Sequence, residues 1–316
     1  MTIPSLLKDT LRVPAIGAPM FLVSFPPLVT ALCKAGVIGA FPHVNARLTD
    51  IQADLAAHQA ANPDAIVAPV CVNLIVHRTN PRVAPDLEIV AHHKVPLVIT
   101  CLGNPQAAIE RVHGYGGLVF CDVINATHAR KAIAAGADGL ICVGGGAGGH
   151  ASNQSAFSLV REVREFWDGC LVLGGSISDG WQVRAAEVLG ADLAYMGTRF
   201  IATSESNAQD AYKQMLVDST VQDLIYSDRF SGVFANFLLP SITRYGIDPA
   251  KLPPKSPDMS GLADSDAKAW KDVWSAGHGI ATIHDVPTVE ELVGRIAAEY
   301  RTACRLPQSP ALAAAS

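Results

Sequence analysis

The sequence predicts an α/β fold, a (β/α)8 TIM barrel with an additional cap of mostly helical or irregular structure. The chain has 316 residues, more than an ordinary single domain but a common length for such barrels with insertions. Hydrophobic residues make up 49% and charged residues 17%, as expected for parallel strands buried on both faces. Short apolar runs alternate with helical patterns eight times, which is the repeat of parallel βα units.

Eight apolar runs are the predicted strands. They occupy residues 14–20, 37–41, 66–74, 97–102, 117–123, 139–143, 170–174 and 193–196. Helices are expected between them. The clearest covers residues 126–135, because Asn125 is a good N-cap and Gly136 a good stop signal. A second covers residues 179–189 and ends at Gly190 in the same way.

The repeated phrases Ala-Gly-Ala-Asp (135–138) and Leu-Gly-Ala-Asp (189–192) are predicted helix-to-strand turns. Such turns belong to the face of the barrel that serves stability.

The chain divides into four predicted parts. Residues 1–216 form the barrel, and 217–262, rich in aromatics and prolines after 221, form a cap over the active face. Residues 263–305 return to helical patterning, and the tail 306–316 is expected to be disordered.

Charge and cysteine content limit the possible partners. A net charge of −5 gives no electrostatic reason to expect nucleic acid or an anionic membrane. The apolar run 13–40 contains four prolines and Lys34, so it is not expected to span a membrane. The seven cysteines include no CxxC pair, which indicates a reduced, cytoplasmic protein. Small-molecule ligands are expected, and the oligomeric state stays open, a homodimer included.

Three glycine-rich segments follow the last three predicted strands, where such barrels hold their ligands. The first, residues 141–150, contains five glycines and ends at His150. Its amides can converge on an anion or a flat ring, with His150 as the titratable group at the rim. The alternative is a flexible loop before a surface histidine. The other two segments place Gly174, Gly175, Gly197 and Thr198 where a phosphate is often bound.

Asn73 is a further candidate, because it is predicted to lie just past the third strand. Its amide there can bond the edge of a heteroaromatic ring, and the alternative is an ordinary turn residue.

These segments resemble those of the nitronate monooxygenase family, which are FMN-dependent barrels. The matching pieces are Ala18-Pro-Met20, Val72-Asn-Leu74, Ala147-Gly-Gly-His150, Gly174-Gly-Ser176, Met196-Gly-Thr-Arg-Phe200 and Trp274-Ser-Ala-Gly277. They occur in the family's order across residues 18–277, so the resemblance covers nearly the whole chain.

The resemblance implies FMN as cofactor and oxidation of an alkyl nitronate, or a nitroalkane, by O2 to a carbonyl compound and nitrite. It implies that His150 is the active-site base, since an imidazole with a pKa near ~6.5 is suited to removing the acidic α-proton of a nitroalkane. The residues implied to bind the cofactor are Ala18, Pro19, Met20, Asn73, Gly148 and Gly149, with Gly174, Gly175, Ser176, Gly197 and Thr198 at its phosphate.

Two departures from the family pattern leave the substrate open. Many members have a carboxylate where this chain has residues 144–146, all glycine, and several have Arg or Lys near the end of strand five, where this chain has Asp122. One alternative is an NAD(P)H-dependent reductase of a quinone or enoyl thioester, with Arg78 and Arg82 near a phosphorylated donor or simply in solvent. The other is a non-catalytic barrel that binds a phosphorylated ligand.

Other candidate sites are weaker. The histidines at 92, 93 and 113 lack metal-ligand spacing, so no metal is expected. Ser152 and Ser155 lie close to His150 but not in a nucleophile elbow. His278 and His284 are interpreted as structural.

Overall fold

The computed structural model describes residues 2–42, 47–257 and 272–306. Eight parallel strands form a closed barrel, each paired with the next barrel strand along the chain, which confirms the predicted fold. The strands are β1 (Ala15–Gly17), β2 (Ile38–Phe41), β3 (Val70–Ile75), β4 (Leu97–Cys101), β5 (Leu118–Val123), β6 (Gly139–Val143), β8 (Cys170–Gly174) and β9 (Leu193–Met196). Strand β9 pairs with β1, with Tyr195 opposite Ile16, and this pairing closes the barrel.

Helices connect most of the barrel strands, and others precede the barrel or follow it. They are α1 (Ser5–Lys8), α2 (Pro26–Lys34), α3 (Arg47–Ala61), α4 (Val83–His92), α5 (Gln106–His113), α6 (Ala126–Ala135), α7 (Ala156–Arg164), α8 (Gly180–Leu189), α9 (Thr198–Ile201), α10 (Asp210–Asp218), α11 (Leu239–Thr243) and α12 (Val289–Cys304). Helix α6 has the predicted bounds, with Asn125 accepting from the His128 amide and Gly136 left-handed at φ +94°. Asp179 is the N-cap of α8 and not its first residue.

Strand alternation separates two packed layers. In β5, Phe120 points into the barrel, while Val119 and Cys121 on either side pack against the outer helices. Predicted strand bounds were less accurate than strand positions. The first predicted strand extended beyond β1 at both ends, and the third began before β3 does. Asn73 lies inside β3 and not beyond it.

A second sheet covers part of the barrel mouth, where the sequence predicted an irregular or helical cap. Strand β10 (Leu224–Ser227) pairs antiparallel with β11 (Ala235–Leu238), and β11 pairs with β7 (Gly149–His150). That prediction was therefore wrong for residues 224–227 and 235–238, whereas the residues between them are irregular and α11 and a short 3-10 helix follow. The last two residues of the glycine-rich segment, Gly149 and His150, therefore form a strand of this small sheet.

The C-terminal segment returns to the barrel wall. A 3-10 helix, His278–Thr282, precedes α12, which begins with a capping box of Thr288 and Glu291. Helix α12 packs against α8 and α2. A side chain at Gly180 would collide with the backbone of α12, so glycine permits this close approach. Residues 258–271 and the predicted disordered tail from 307 onward lie outside the described residues.

Candidate active site

A cavity of about 1020 Å³ lies at the carboxyl ends of the barrel strands. All twelve site residues predicted from the sequence line it. They are Ala18, Pro19, Met20, Asn73, Gly148, Gly149, His150, Gly174, Gly175, Ser176, Gly197 and Thr198. Residues that sequence reasoning did not select line it as well, among them Asp122, Tyr195 and Tyr212.

The floor of the cavity is polar because of strand alternation. Asp122 follows Phe120 by two residues in β5, so both side chains face the barrel axis. The same two-residue step carries Asn73, Cys101 and Tyr195 to the cavity from β3, β4 and β9. This periodicity was the signal that would have identified Asp122 from the sequence.

Two atoms of this floor lack partners. Oδ1 of Asn73 and Oδ1 of Asp122 are buried, and neither has a hydrogen-bond partner among the described residues. Burial raises the pKa of Asp122 to about 7. Burial also raises the pKa of the Tyr195 phenol, with the nearby Asp122 carboxyl as a lesser cause. Since buried polar atoms are nearly always bonded, a ligand is the natural partner for both.

The turn after β8 is shaped by left-handed backbone. Gly175 has φ +117° and Ser176 φ +60°. A Cβ at Gly175 would lie 3.2 Å from the Ala147 amide nitrogen, so glycine is needed for space as well as for conformation. The amides of Gly175 and Ser176 donate to no other described residue. They are available to an anionic ligand.

The turn after β9 is joined to the C-terminal segment. The Gly277 amide donates to Thr198 Oγ1 at 2.9 Å, which leaves the hydroxyl proton of Thr198 for a ligand. The Gly197 amide makes no hydrogen bond within the described part of the chain. A Cβ at Gly197 would lie 3.5 Å from Met20 Sδ, an ordinary contact distance.

Most backbone amides of the glycine loop after β6 donate hydrogen bonds to other groups of the protein. Gly144 donates to Gly174 O, Gly145 to Gln154 O, and Ala147 to Gly144 O. Gly149 donates to Ser275 Oγ at 3.1 Å. The expectation that these amides converge on a ligand is therefore wrong for these four, and they hold the shape of the loop.

His150 lies in β7 beside the cavity, 3.2 Å from Ser231 Oγ through Nε2. The Ser231 hydroxyl donates to Val233 O, so in the contact with His150 it accepts the Nε2 proton. That tautomer places the ring lone pair on Nδ1. Burial lowers the pKa of His150 to about 4, well below the value near ~6.5 assumed from the sequence. The imidazole is therefore neutral at pH 7.

The remaining candidates lie elsewhere. His278 donates its amide to Gly146 O at 2.8 Å and lines a neighbouring cavity of about 570 Å³, which also contains Ser152 and Ser155. His284 and Arg78 are exposed, and Arg82 pairs with Asp86. These positions do not line the large cavity.

The described residues lack two kinds of feature. No group of three His, Cys, Asp or Glu side chains is arranged to hold a metal ion. No described helix combines the length and the apolar content that crossing a membrane requires.

Comparison with known proteins gives the family. The family model for nitronate monooxygenase matches residues 45–299. The nitronate monooxygenase of Paraburkholderia phytofirmans is 26% identical over 339 aligned residues, covering 91% of this chain and 92% of the relative. The structure of a nitroalkane oxidase from Streptomyces ansochromogenes has a TM-score of 0.77 at 25% identity, covering 95% and 99% of the two chains.

A third relative has a different activity. The (3aS,4S,5R,7aS)-5-hydroxy-7a-methyl-1-oxo-octahydro-1H-indene-4-carboxyl-CoA dehydrogenase of Mycobacterium tuberculosis is 29% identical over 224 residues. The match covers 70% of this chain and 61% of the dehydrogenase, so it spans about three fifths of that relative. Because the family model covers most of the chain, this protein belongs to the nitronate monooxygenase family.

Proposed function

We propose that this enzyme is an FMN-dependent nitronate monooxygenase, which oxidises alkyl nitronates with O2 to a carbonyl compound and nitrite. One observation carries the proposal: a single cavity joins open amides, an unpartnered polar floor and the neutral imidazole of His150. The full-length nitronate monooxygenase relative and the nitroalkane oxidase structure support the choice of substrate.

The residues present fit a flavin. The open amides of Gly175, Ser176 and Gly197 would hold its phosphate together with the Thr198 hydroxyl. The unpartnered oxygen of Asn73 would face the polar edge of its ring system, which carries an N–H donor beside carbonyl acceptors. When bound, FMN supplies the electron acceptor that substrate oxidation requires.

A mononucleotide is favoured over FAD because the described residues offer one phosphate site. Residues 144–149 formally spell G-x-G-x-x-G. That run leads into β7 and not into a helix, and several of its amides bond within the protein. It therefore lacks the strand-turn-helix context of a dinucleotide-binding loop.

His150 gives the enzyme a base for neutral substrates. Its neutral ring would accept the α-proton of a nitroalkane. A nitronate has already lost that proton, so for it His150 serves binding alone.

The spectrum of the purified enzyme tests the proposal most directly. We expect a yellow protein that releases FMN and no FAD on heating. Under anaerobic conditions propyl-1-nitronate should bleach the yellow colour, and admitting O2 should restore it. A colourless protein that cannot be reconstituted with FMN would contradict the proposal.

Substitution of Gly197 tests the phosphate site. In Gly197→Val the branched side chain would come between the open amide and the phosphate, so FMN should bind at least about tenfold more weakly, a loss of about 1.4 kcal/mol. Gly197→Ala should fold, because its Cβ meets Met20 at an ordinary distance. Gly114→Val is a control, since Gly114 has φ −58° and is exposed at the end of α5. Unchanged FMN affinity in Gly197→Val would remove Gly197 from the site.

The dehydrogenase relative favours a second candidate, an NAD(P)H-dependent reductase of a CoA thioester. Anaerobic NADH or NADPH would then bleach the flavin rapidly, whereas the monooxygenase should resist both. The predicted contacts of Arg78 and Arg82 with a phosphorylated donor gain no support, because neither lines the cavity and Arg82 pairs with Asp86. Family membership favours an enzyme over the non-catalytic barrel.

A further inference from the structure

We propose that Asp122 controls the charge of the substrates this cavity accepts: an anion binds while Asp122 is protonated, so binding above neutral pH takes up one proton. The inference rests on the proposed function, because the anion in question is the nitronate substrate.

The position of Asp122 is the first step. It lies near the carboxyl end of β5 with its side chain toward the barrel axis, and it lines the cavity. Its Oδ1 is buried and has no hydrogen-bond partner among the described residues. A carboxyl group placed in this way meets whatever the cavity binds.

The groups around Asp122 do not compensate a negative charge. Among the described residues, the titratable side chains that feel the charge of Asp122 are acids that are neutral at pH 7. They are Cys71 from β3, Cys101 from β4, Cys121 from β5 itself and Tyr195 from β9. Burial raises the pKa of Asp122 to about 7.

The basic residues that line the cavity lie at its exposed rim. His128, Lys131 and Lys255 are exposed, and Lys255 donates to Phe230 O at 3.0 Å. His150 is enclosed, but burial lowers its pKa to about 4, so it carries no charge at pH 7. Within the described residues, the inner cavity therefore offers an anion no positive side chain.

An ionised Asp122 and a bound anion would repel each other across a poorly screened space. The protonated carboxyl instead has an O–H to donate to an anionic oxygen. Below the pKa of Asp122 the proton is already present, and anion binding should not depend on pH. Above this pKa, Asp122 must take up a proton from solvent each time an anion binds. The Kd should therefore rise by about tenfold for each pH unit.

Propionate is a suitable probe, since it has a charged planar pair of oxygens but no nitro group to be oxidised. It stays ionised throughout the range from pH 6 to 9. Propionamide is the matched neutral probe. Calorimetric titration of the flavin-loaded enzyme should show a propionate Kd that is flat near pH 6 and about 100-fold higher at pH 9 than at pH 6. Propionamide should bind equally across the range.

Asp122→Asn is the matched variant, because it keeps the shape and removes the titration. Its propionate Kd should not vary with pH. Titrations at pH 8 in two buffers of different ionisation enthalpy should show about one proton taken up by the wild type and none by the variant. The inference is overturned if the propionate Kd of the wild type does not change with pH. It is also overturned if the propionate Kd of Asp122→Asn rises with pH as steeply as that of the wild type. If Asp122→Asn does not fold, the proton count of the wild type decides alone.

The state of Asp122 can also be measured without any ligand. Infrared spectra of the wild type should contain a protonated carboxylic acid band at pH 6 that fades by pH 8, and Asp122→Asn should lack it. Failure to bind FMN would reject the proposed function while leaving this measurement valid. An ionised Asp122 at pH 6 would reject the inference while leaving the proposed function standing.

Discussion

Aspartate side chains at the two ends of the barrel differ in their hydrogen bonding. Where the strands begin, Asp192 accepts the Leu171 amide at 2.9 Å and Asp138 accepts the Val119 amide at 2.7 Å. Where the strands end, the buried Oδ1 of Asp122 has no partner among the described residues. The carboxylates of Asp192 and Asp138 are thus bonded to backbone amides of the protein, whereas Asp122 keeps a buried oxygen for the cavity.

Strand β5 contains both situations within three residues. The Val119 amide near its start is bonded to Asp138, and Asp122 near its end faces the cavity. An unpaired buried polar atom costs roughly 1–3 kcal/mol, which a purely structural position would have no reason to retain. Stability and ligand binding should therefore respond to substitutions at opposite ends of the barrel.

Removing the Asp192 carboxylate should have the largest effect. Asp192 is 2% exposed, forms an ion pair with Arg164 at 2.6 Å, and accepts the Thr2 and Leu171 amides. Asp192→Ala leaves a half-buried guanidinium and two amides without their partner, so the free energy of unfolding should fall by about 3–5 kcal/mol. Urea denaturation measures this change, and FMN content per folded molecule should stay normal.

Asp138→Ala is the matched comparison. Asp138 is 27% exposed and its partner His113 40% exposed, so the loss should be smaller than for Asp192. Equal losses, or FMN released from folded Asp192→Ala, would contradict the separation of the two ends.

Local sequence signals were sufficient for the barrel. Asn125 and Gly136 mark both ends of α6, and the repeated Asp138 and Asp192 turns lie where strands begin. The glycine-rich segments were placed at the barrel mouth because strand order alone puts them there. The twelve predicted residues consequently surround one cavity.

Pairings between distant segments could not be derived in this way. Strand β7 forms only because Gly149 and His150 meet residues 235–236, more than 80 positions later. That contact helps to enclose His150, and the lowered pKa follows from burial that no local pattern reveals. The inward direction of Asp122 was available from its spacing to Phe120, but only once the bounds of β5 were known.

The ionisation of Asp122 should make the free energy of unfolding depend on pH. Its pKa is raised to about 7, so the folded protein holds a proton that the unfolded chain releases near pH 4. Stability is therefore highest below pH 4 for this group and falls as pH rises through 7, by up to about 4 kcal/mol. The unfolding free energy of the flavin-free wild type, relative to Asp122→Asn, should decline across this window.

His150 contributes a slope of the opposite sign. Its pKa is lowered to about 4, so its contribution to stability falls as pH falls from about 6.5 toward 4. The difference between wild type and Asp122→Asn cancels that slope, which is why the variant is required. A difference that does not change between pH 4 and 8 would show that Asp122 ionises normally.

The smallest expected effect is chemical, and it separates His150 from the stability of the barrel. A general base contributes about 10²- to 10⁴-fold, and one whose pKa is lowered to about 4 should lie at the low end. His150→Asn should therefore reduce kcat/KM for 1-nitropropane by about 10²-fold, or about 2.7 kcal/mol, while turnover of propyl-1-nitronate changes by less than about threefold. Initial rates of oxygen consumption with each substrate measure this ratio, and FMN content and unfolding free energy serve as controls. Equal losses with both substrates would assign His150 to binding. Unchanged rates with both would mean that the proton is removed by another group of the cavity.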